Sequence, residues 1–210
     1  MDYIGVMMSV TANSTNNYWE SLYSDDVLLP WDIRKPDNAL VSKVIDGYSY
    51  NIDNKFALEV GCGYGHDANY LQYIGYETTA IDVSSTAIDT AERLYPHVNF
   101  ICKDFLSYKT DQKFDLIYDR GFLHNCAQVE MQKSLNLYSN MLSDDGRIII
   151  LSGNYNNQNH EGVVPTPLTI NSIEKRCQPN LKIFSVEEII FEQNEGYPDS
   201  LGWVFILKKR

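Results

Sequence analysis

The distribution of apolar and polar positions changes near residue 55. From there to the C-terminus, short apolar runs of strand length alternate with longer amphipathic stretches, a pattern typical of βα units around a mostly parallel sheet. Strands covered on both faces are apolar along their whole length. The runs that meet this description are residues 56–60, 78–82, 98–102, 114–118 and 147–152.

The stretches between these runs have apolar residues at helical spacing and predict helices. The predicted helices cover residues 67–74, the segment from 85 to Pro96, residues 128–142 and a short stretch after Asn171. The last two apolar runs, 184–193 and 202–208, flank a turn-forming segment. We therefore expect them to pair as an antiparallel hairpin.

The first 54 residues have a different pattern. Residues 1–17 end in a polar run with little to bury, and we expect them to be flexible. Tyr18 is expected to begin one helix, and Asn38 is expected to cap another. The chain is thus predicted to be one α/β domain over residues 1–210, with a helical cap over 18–54 and the sheet over 55–210.

Composition narrows the range of ligands. The net charge of -11 argues against a nucleic-acid partner, because phosphate binding needs a basic surface. The four cysteines and four histidines show neither a CxxC pair nor zinc spacing, so we expect no metal and no disulfide. The apolar run at 4–10 is too short to span a bilayer. A cytoplasmic protein acting on small molecules fits best, with no membrane association.

A glycine-rich turn joins the first strand to the first core helix. Gly61, Gly63 and Gly65 permit positive φ angles and close approach of a ligand to the backbone. The NAD fingerprint requires glycine where His66 stands, so the spacing favours S-adenosylmethionine (SAM). Asp82 ends the second strand about 20 residues further on, where a carboxylate can bond both ribose hydroxyls.

With these residues and the terminal hairpin, the chain resembles a Rossmann-like (class I) SAM-dependent methyltransferase over roughly residues 55–210. The resemblance implies a three-layer sandwich around a seven-stranded, mostly parallel sheet with a C-terminal antiparallel hairpin. It also implies SAM as the cofactor. The positions that would contact SAM are Glu59, Gly61, Cys62, Gly63, Gly65, Asp82, Val83, Asp104, Phe105 and Asp119.

Some of these positions have a simpler interpretation. Glu59 could brace the turn, Asp82 could favour the start of a helix, and Phe105 could be an ordinary core residue. These alternatives predict the same residue types at the same places. They differ only in whether the side chain touches a ligand.

On the acceptor side, Asp119-Arg120-Gly121 follows the fourth strand. Together with Tyr18-Trp19-Glu20 and Leu29-Pro30-Trp31-Asp32, this motif resembles the branch that contains thiopurine, thiol, halide and tellurite methyltransferases. The resemblance implies that Trp31 closes over the cofactor and that Arg120 faces the acceptor. Pairing of Arg120 with Asp119 or Glu59 is the structural alternative.

His124 is the candidate base if the acceptor is a hydroxyl or an amine, because a histidine pKa can lie near working pH. Packing against the following helix is its structural alternative. The polar, proline-broken segment 154–169 is expected to be a substrate lid or a surface loop.

The sequence thus predicts a SAM-dependent methyltransferase acting on a small molecule, as a monomer or homodimer. A thiol or another soft nucleophile is the first acceptor class to test. The alternatives are a small-molecule O- or N-methyltransferase that uses His124 as its base, and a SAM-binding protein without turnover. An NAD-dependent oxidoreductase is disfavoured by His66 and by the terminal hairpin.

Overall fold

The computed structural model of the chain describes residues 12–25, 28–45, 54–153 and 168–210. Its strands are β1 (Phe56–Val60), β2 (Glu77–Asp82), β3 (Asn99–Cys102), β4 (Phe114–Arg120), β5 (Leu142–Gly153), β6 (Leu181–Phe191) and β7 (Ser200–Lys209). Its helices are α1 (Ala12–Ser24), α2 (Asn38–Ile45), α3 (His66–Tyr73), α4 (Ser85–Leu94), α5 (Gln128–Met141) and α6 (Ile170–Cys177). No helix within these ranges has the length and apolar character needed to cross a membrane.

The seven strands form one sheet in the order β3-β2-β1-β4-β5-β7-β6. The first five strands pair in parallel, and β7 runs antiparallel to both β5 and β6. The predicted α/β fold and its antiparallel terminal hairpin are therefore confirmed. The strand order reverses between β1 and β4, and ligands of open α/β sheets bind outside the carboxyl ends of the strands at such a point.

Helix α1 and strand β5 begin well before their predicted starts. Helix α1 starts at Ala12 instead of Tyr18, because its first turns lack the apolar periodicity on which the prediction relied. Strand β5 starts at Leu142, which pairs with Phe114 before the register shifts between Phe114 and Leu116. Residues 1–11 and most of the predicted 154–169 lid lie outside the described ranges.

Side chains from alternate strand positions build separate cores on the two faces of the sheet. In β4, Ile117 belongs to the core beneath α5, whereas Leu116 and Tyr118 belong to the core beneath α2 and α3. The alternation continues to the end of the strand. Asp119 therefore points to the α5 side, and Arg120 points to the α2 side.

A pair of glycines facing each other across β5 and β7 offers a matched test of this packing. An added Cβ at Gly202 would lie 2.9 Å from the carbonyl oxygen of Ser152 and 2.9 Å from the Cβ of Phe191. Its ladder partner Gly153 has nothing within 4 Å of the same position. We expect G202A to lower the free energy of unfolding by about 1–3 kcal/mol through overpacking. Urea unfolding should show G153A within about 0.5 kcal/mol of wild type, and equal losses in the two variants would contradict this packing.

Candidate active site

The glycine turn after β1 adopts the backbone that the sequence predicts. Gly61, Gly63 and Gly65 have φ angles of 72°, 51° and 77°. A Cβ at Gly63 would lie 2.7 Å from the Tyr23 hydroxyl, and a Cβ at Gly65 would lie 2.6 Å from the Phe100 ring. The turn is thus glycine-only for two reasons, its left-handed backbone and the close approach of neighbouring aromatic groups. Cys62 between them is buried.

Asp82 joins this turn to the end of β2. Its buried carboxylate accepts hydrogen bonds from the backbone N–H groups of Gly63, at 2.8 Å, and Ser84, at 2.9 Å. Burial raises the pKa of Asp82, and these backbone bonds act in the opposite direction. Each carboxylate oxygen has two lone pairs, so both oxygens keep capacity for hydroxyl donors of a ligand. Val83, the next residue, is half-buried.

A group of buried carboxylates lies beneath the turn. Glu59 is 3% exposed, and its Oε2 has no hydrogen-bond partner among the described residues. Burial, followed by the charge of Asp67, raises the pKa of Glu59 well above its usual value. Burial and the charge of Asp37 likewise raise the pKa of Asp67 to about 6. Such a cluster suits a cationic group, because an added positive charge would offset the repulsion between the carboxylates.

The two residues after β3 that the resemblance assigns to the adenine have local partners. Asp104 Oδ1 accepts a hydrogen bond at 2.9 Å from the N–H of Leu106 and caps the short 3-10 turn Phe105–Ser107. The Phe105 ring is 2% exposed and packs against Phe122 and Tyr138. Phe105 is therefore a core residue here, as its alternative interpretation proposed.

Asp119 pairs with Val60 of β1, and its carboxylate lies on the α5 side of the sheet. Its Oδ1 accepts from the N–H of Phe122 at 2.8 Å, and its Oδ2 accepts from the Tyr138 hydroxyl at 2.8 Å and from the N–H of Leu123 at 3.1 Å. Burial raises its pKa to about 7 against these bonds. The carboxylate fastens the turn after β4 to α5. The predicted contact of Asp119 with SAM stays a prediction.

The guanidinium of Arg120 bonds to the N-terminal segment and to the residue after β6. Its Nε lies 2.7 Å from Asp37 Oδ2, and the same guanidinium donates to the carbonyl oxygens of Trp31 and Glu192. The Arg120 and Asp37 side chains are 8% and 1% exposed. The guanidinium therefore holds the N-terminal segment and the end of β6 on β4, and the acceptor-facing role of Arg120 stays a prediction. The paired carboxylate is also different from the two that the sequence suggested, Asp119 and Glu59.

His124 is buried behind the turn that follows β4. Its Nδ1 accepts a hydrogen bond at 3.1 Å from the N–H of Gly153 at the end of β5, so the ring proton lies on Nε2. Burial, together with the charge of Arg120, lowers the pKa of His124 to about 3. A neutral ring with a protonated Nε2 has no free lone pair on either nitrogen. The His124 ring thus contacts the end of β5 and the ring of Phe191, and its role as a base stays a prediction.

Comparisons with known proteins agree with this geometry. A family described as "Methyltransferase domain" matches residues 57–146, which include the glycine turn, Asp82 and Asp119. Over these residues the chain is similar to methyltransferase domains. Thiocyanate methyltransferase 1 of Brassica oleracea is 28% identical over 180 residues, which cover 81% of this chain and 76% of that protein.

Solved structures show the same fold for nearly the whole chain. One concerns the conversion of a disulfide bond into a thioacetal group during echinomycin biosynthesis; it has a TM-score of 0.80 at 19% identity and covers 93% of this chain and 91% of its own. Another is the N-methyltransferase NodS from Bradyrhizobium japonicum WM9 in complex with S-adenosyl-L-homocysteine. Its TM-score is 0.69 at 19% identity, with 91% of this chain and 97% of that chain covered.

The N-terminal segment covers one side of the glycine turn, and the sequence predicted its helices but not its contacts. Trp31 is half-buried, and its Nε1 donates a hydrogen bond at 3.0 Å to the Tyr23 hydroxyl above Gly63. Asp37 accepts from the N–H of Ala39 at the start of α2. Tyr23 and Asp37 gave no sequence signal, since an isolated tyrosine and a helix-capping aspartate are common. Within the described ranges, no group of three potential metal ligands occurs.

The positioning role of Arg120 makes a stability prediction. Arg120→Ala leaves the buried Asp37 carboxylate without its cation, so we expect the free energy of unfolding to fall by about 3–5 kcal/mol in urea titrations. In an Asp37→Asn background the same substitution should cost distinctly less, because the carboxylate charge is already gone. A stable Arg120→Ala variant that loses turnover alone would instead support an acceptor-facing guanidinium.

Proposed function

We propose that this chain binds SAM across the Gly61–Gly65 turn and transfers its methyl group to a small-molecule soft nucleophile, with a thiolate as the leading class. The acceptor class is inferred from the hydrogen bonds of the polar side chains at and after the end of β4. Asp119 and Arg120 have their own protein partners, and His124 holds its proton on Nε2. Among the described residues at this edge, none of the three predicted acceptor-side groups is free to remove a proton.

The cofactor part of the proposal follows the contacts of the turn. Asp82 has capacity for the ribose hydroxyls, and the buried Glu59 has an unpartnered oxygen that can accept a hydrogen bond from the methionine end. Gly61 and Gly63 expose backbone over which a ligand can lie. Val83 and Asp104 flank the place assigned to the adenine. The residues thus fit a ligand with a diol at one end and a cation at the other.

Bound SAM supplies an electrophilic methyl group on a sulfonium, and its transfer is an in-line displacement that depends mainly on alignment. In this displacement the bond from the methyl carbon to the sulfonium sulfur breaks as the bond to the acceptor forms. A thiolate arrives already ionised, so the protein need only position it. A hydroxyl or amine acceptor would need a base. The name of the thiocyanate methyltransferase relative agrees with a sulfur acceptor.

The proposal also covers the size of the acceptor and the location of the protein. The acceptor is a small molecule, and the working location is the cytoplasm, where free thiols such as the four unpaired cysteines of this chain persist. The O- or N-methyltransferase alternative is less well supported, because its base would be His124. A SAM-binding protein without turnover is distinguished by tight cofactor binding with no methyl transfer to any acceptor class.

Cofactor binding is tested at Asp82. We expect Asp82→Ala to weaken binding of S-adenosylhomocysteine by about tenfold to a hundredfold in calorimetry, because a charged acceptor for the ribose is lost. Asp89 is exposed on the neighbouring helix α4 and provides the control. Asp89→Ala should change affinity by no more than roughly twofold. Failure of folded wild-type protein to bind either SAM or S-adenosylhomocysteine would refute the proposal.

The proposed thiolate acceptor makes a prediction for pH dependence. With a thiol acceptor, kcat/KM should rise with pH as the thiol ionises, because the thiolate is the reactive form. The midpoint should therefore move to lower pH when a more acidic thiol is supplied. This comparison separates acceptor ionisation from titration of buried enzyme groups. A midpoint that stays fixed across thiols of different pKa would point to a base on the protein.

A further inference from the structure

Helix α1 is fastened to the core by the carboxylate of Glu20. Glu20 Oε1 accepts from the Thr86 hydroxyl at 2.6 Å and the Ser85 hydroxyl at 3.1 Å. Its Oε2 accepts from the Ser84 hydroxyl at 2.7 Å and from the backbone N–H of Thr86 at 3.4 Å. All four donors belong to the cap and first turn of α4. In the sequence these donors directly follow Asp82 and Val83, the residues assigned to the ribose and the adenine.

The electrostatics of the Glu20 contact favour a persistent charge. The N-terminal end of α4 has the positive end of the helix dipole, which stabilises an anion. Burial acts to raise the pKa of Glu20, but the hydrogen bonds from Thr86, Ser84 and Ser85 outweigh it and lower the pKa to about 2. The carboxylate is therefore ionised throughout the working pH range. The contact can open only by exchange of these donors for water.

The same helix places Tyr23 over the cofactor turn. Glu20 and Tyr23 are three residues apart and lie on one side of α1. The Tyr23 ring packs edge-to-face on Tyr64, with centroids 5.2 Å apart, and its hydroxyl lies against Gly63. That hydroxyl accepts from Trp31 Nε1, and among the described residues its own proton has no acceptor. A hydrogen-bond donor thus points into the region proposed for the cofactor.

The segment that follows α1 is attached to other elements. Pro30 accepts from the N–H of Asn194, Trp31 accepts from Arg120, and the N–H of Asp37 donates to Asp67. These bonds hold residues 30–37 on β4, α3 and the β6–β7 connection. Release of the Glu20 contact would leave all of them in place. Helix α1 contacts this segment through the hydrogen bond from Trp31 Nε1 to the Tyr23 hydroxyl, and Glu20 holds it on α4.

We propose that Glu20 is a positioning residue that holds α1 on α4 and thereby keeps Tyr23 over Gly63, so that exchange of the cofactor is limited by opening of this contact. The inference rests on the proposed function, because it assigns the cofactor to the Gly61–Gly65 turn. Asp82 binds the ligand itself. Glu20 acts on the residence time of the ligand through the position of α1.

The test compares two glutamates that tie the N-terminal segment to the core. Glu192 accepts from Lys35 Nζ at 2.9 Å and from Asn38 Nδ2 at 2.8 Å, and it lies on the far side of this segment from α1. Stopped-flow fluorescence with S-adenosylhomocysteine should show a dissociation rate about tenfold higher for Glu20→Ala. Glu192→Ala should stay within roughly twofold of wild type. Both variants are expected to lose some thermal stability.

A second variant tests the contact from the α4 side. Thr86→Val keeps the shape of the side chain but removes the 2.6 Å donor, so it should raise the same rate by about threefold. In the Glu20→Ala background its effect should be smaller, because only the 3.3 Å contact of Thr86 with Ser24 on α1 is then left to lose. Thr86→Val also keeps the inference testable if Glu20→Ala does not fold.

The outcomes separate the two claims. Wild-type protein that does not bind S-adenosylhomocysteine would overturn the proposed function, and this inference with it. Wild-type binding with unchanged dissociation in both Glu20→Ala and Thr86→Val would overturn the inference alone. Lower melting temperature without faster dissociation would show that Glu20 serves only the stability of α1.

Discussion

The organisation of the active site depends on one buried cation, the guanidinium of Arg120. It extends from the end of β4 and bonds Asp37, the carbonyl of Trp31 and the carbonyl of Glu192. A charge buried to this degree is tolerated only when its hydrogen bonds are satisfied. The partners come from the N-terminal segment and from the end of β6, so satisfying Arg120 brings these separate parts of the chain to one edge of the sheet. The same interaction therefore holds the N-terminal segment at the site and compensates part of the charge of the buried carboxylates.

The carboxylates under the glycine turn remain only partly compensated. Glu59, Asp67 and Asp37 share the single guanidinium of Arg120, and one oxygen of Glu59 has no partner in the described part of the chain. Burial of excess negative charge costs stability in the protein alone, and that cost falls when a cation arrives. In the proposed function, this excess is what makes the site selective for a cationic cofactor.

The polar side chains at and after the end of β4, unlike these carboxylates, have their hydrogen bonds satisfied within the protein. Asp119 and His124 have the residue types of an acid and a base, yet each is buried and occupied by a structural hydrogen bond. Burial shifts both toward the neutral form, raising the pKa of Asp119 to about 7 and lowering that of His124 to about 3. Two groups of this kind stabilise the turn after β4. In the proposed function, the acceptor is therefore one that is already nucleophilic.

The sequence by itself determined the βα alternation, the glycine turn, the place of Asp82 and the terminal hairpin, because each is a local pattern of spacing and turn chemistry. Only the tertiary structure decided what Glu20, Asp119, Arg120 and His124 contact. Arg120 meets Asp37 across 83 positions of sequence, and Glu20 meets Thr86 across 66. Strand periodicity separates Asp119 from Arg120 onto opposite faces, but it does not say which face carries the ligand. Partners so distant along the chain are chosen by packing, and packing leaves no local pattern to read.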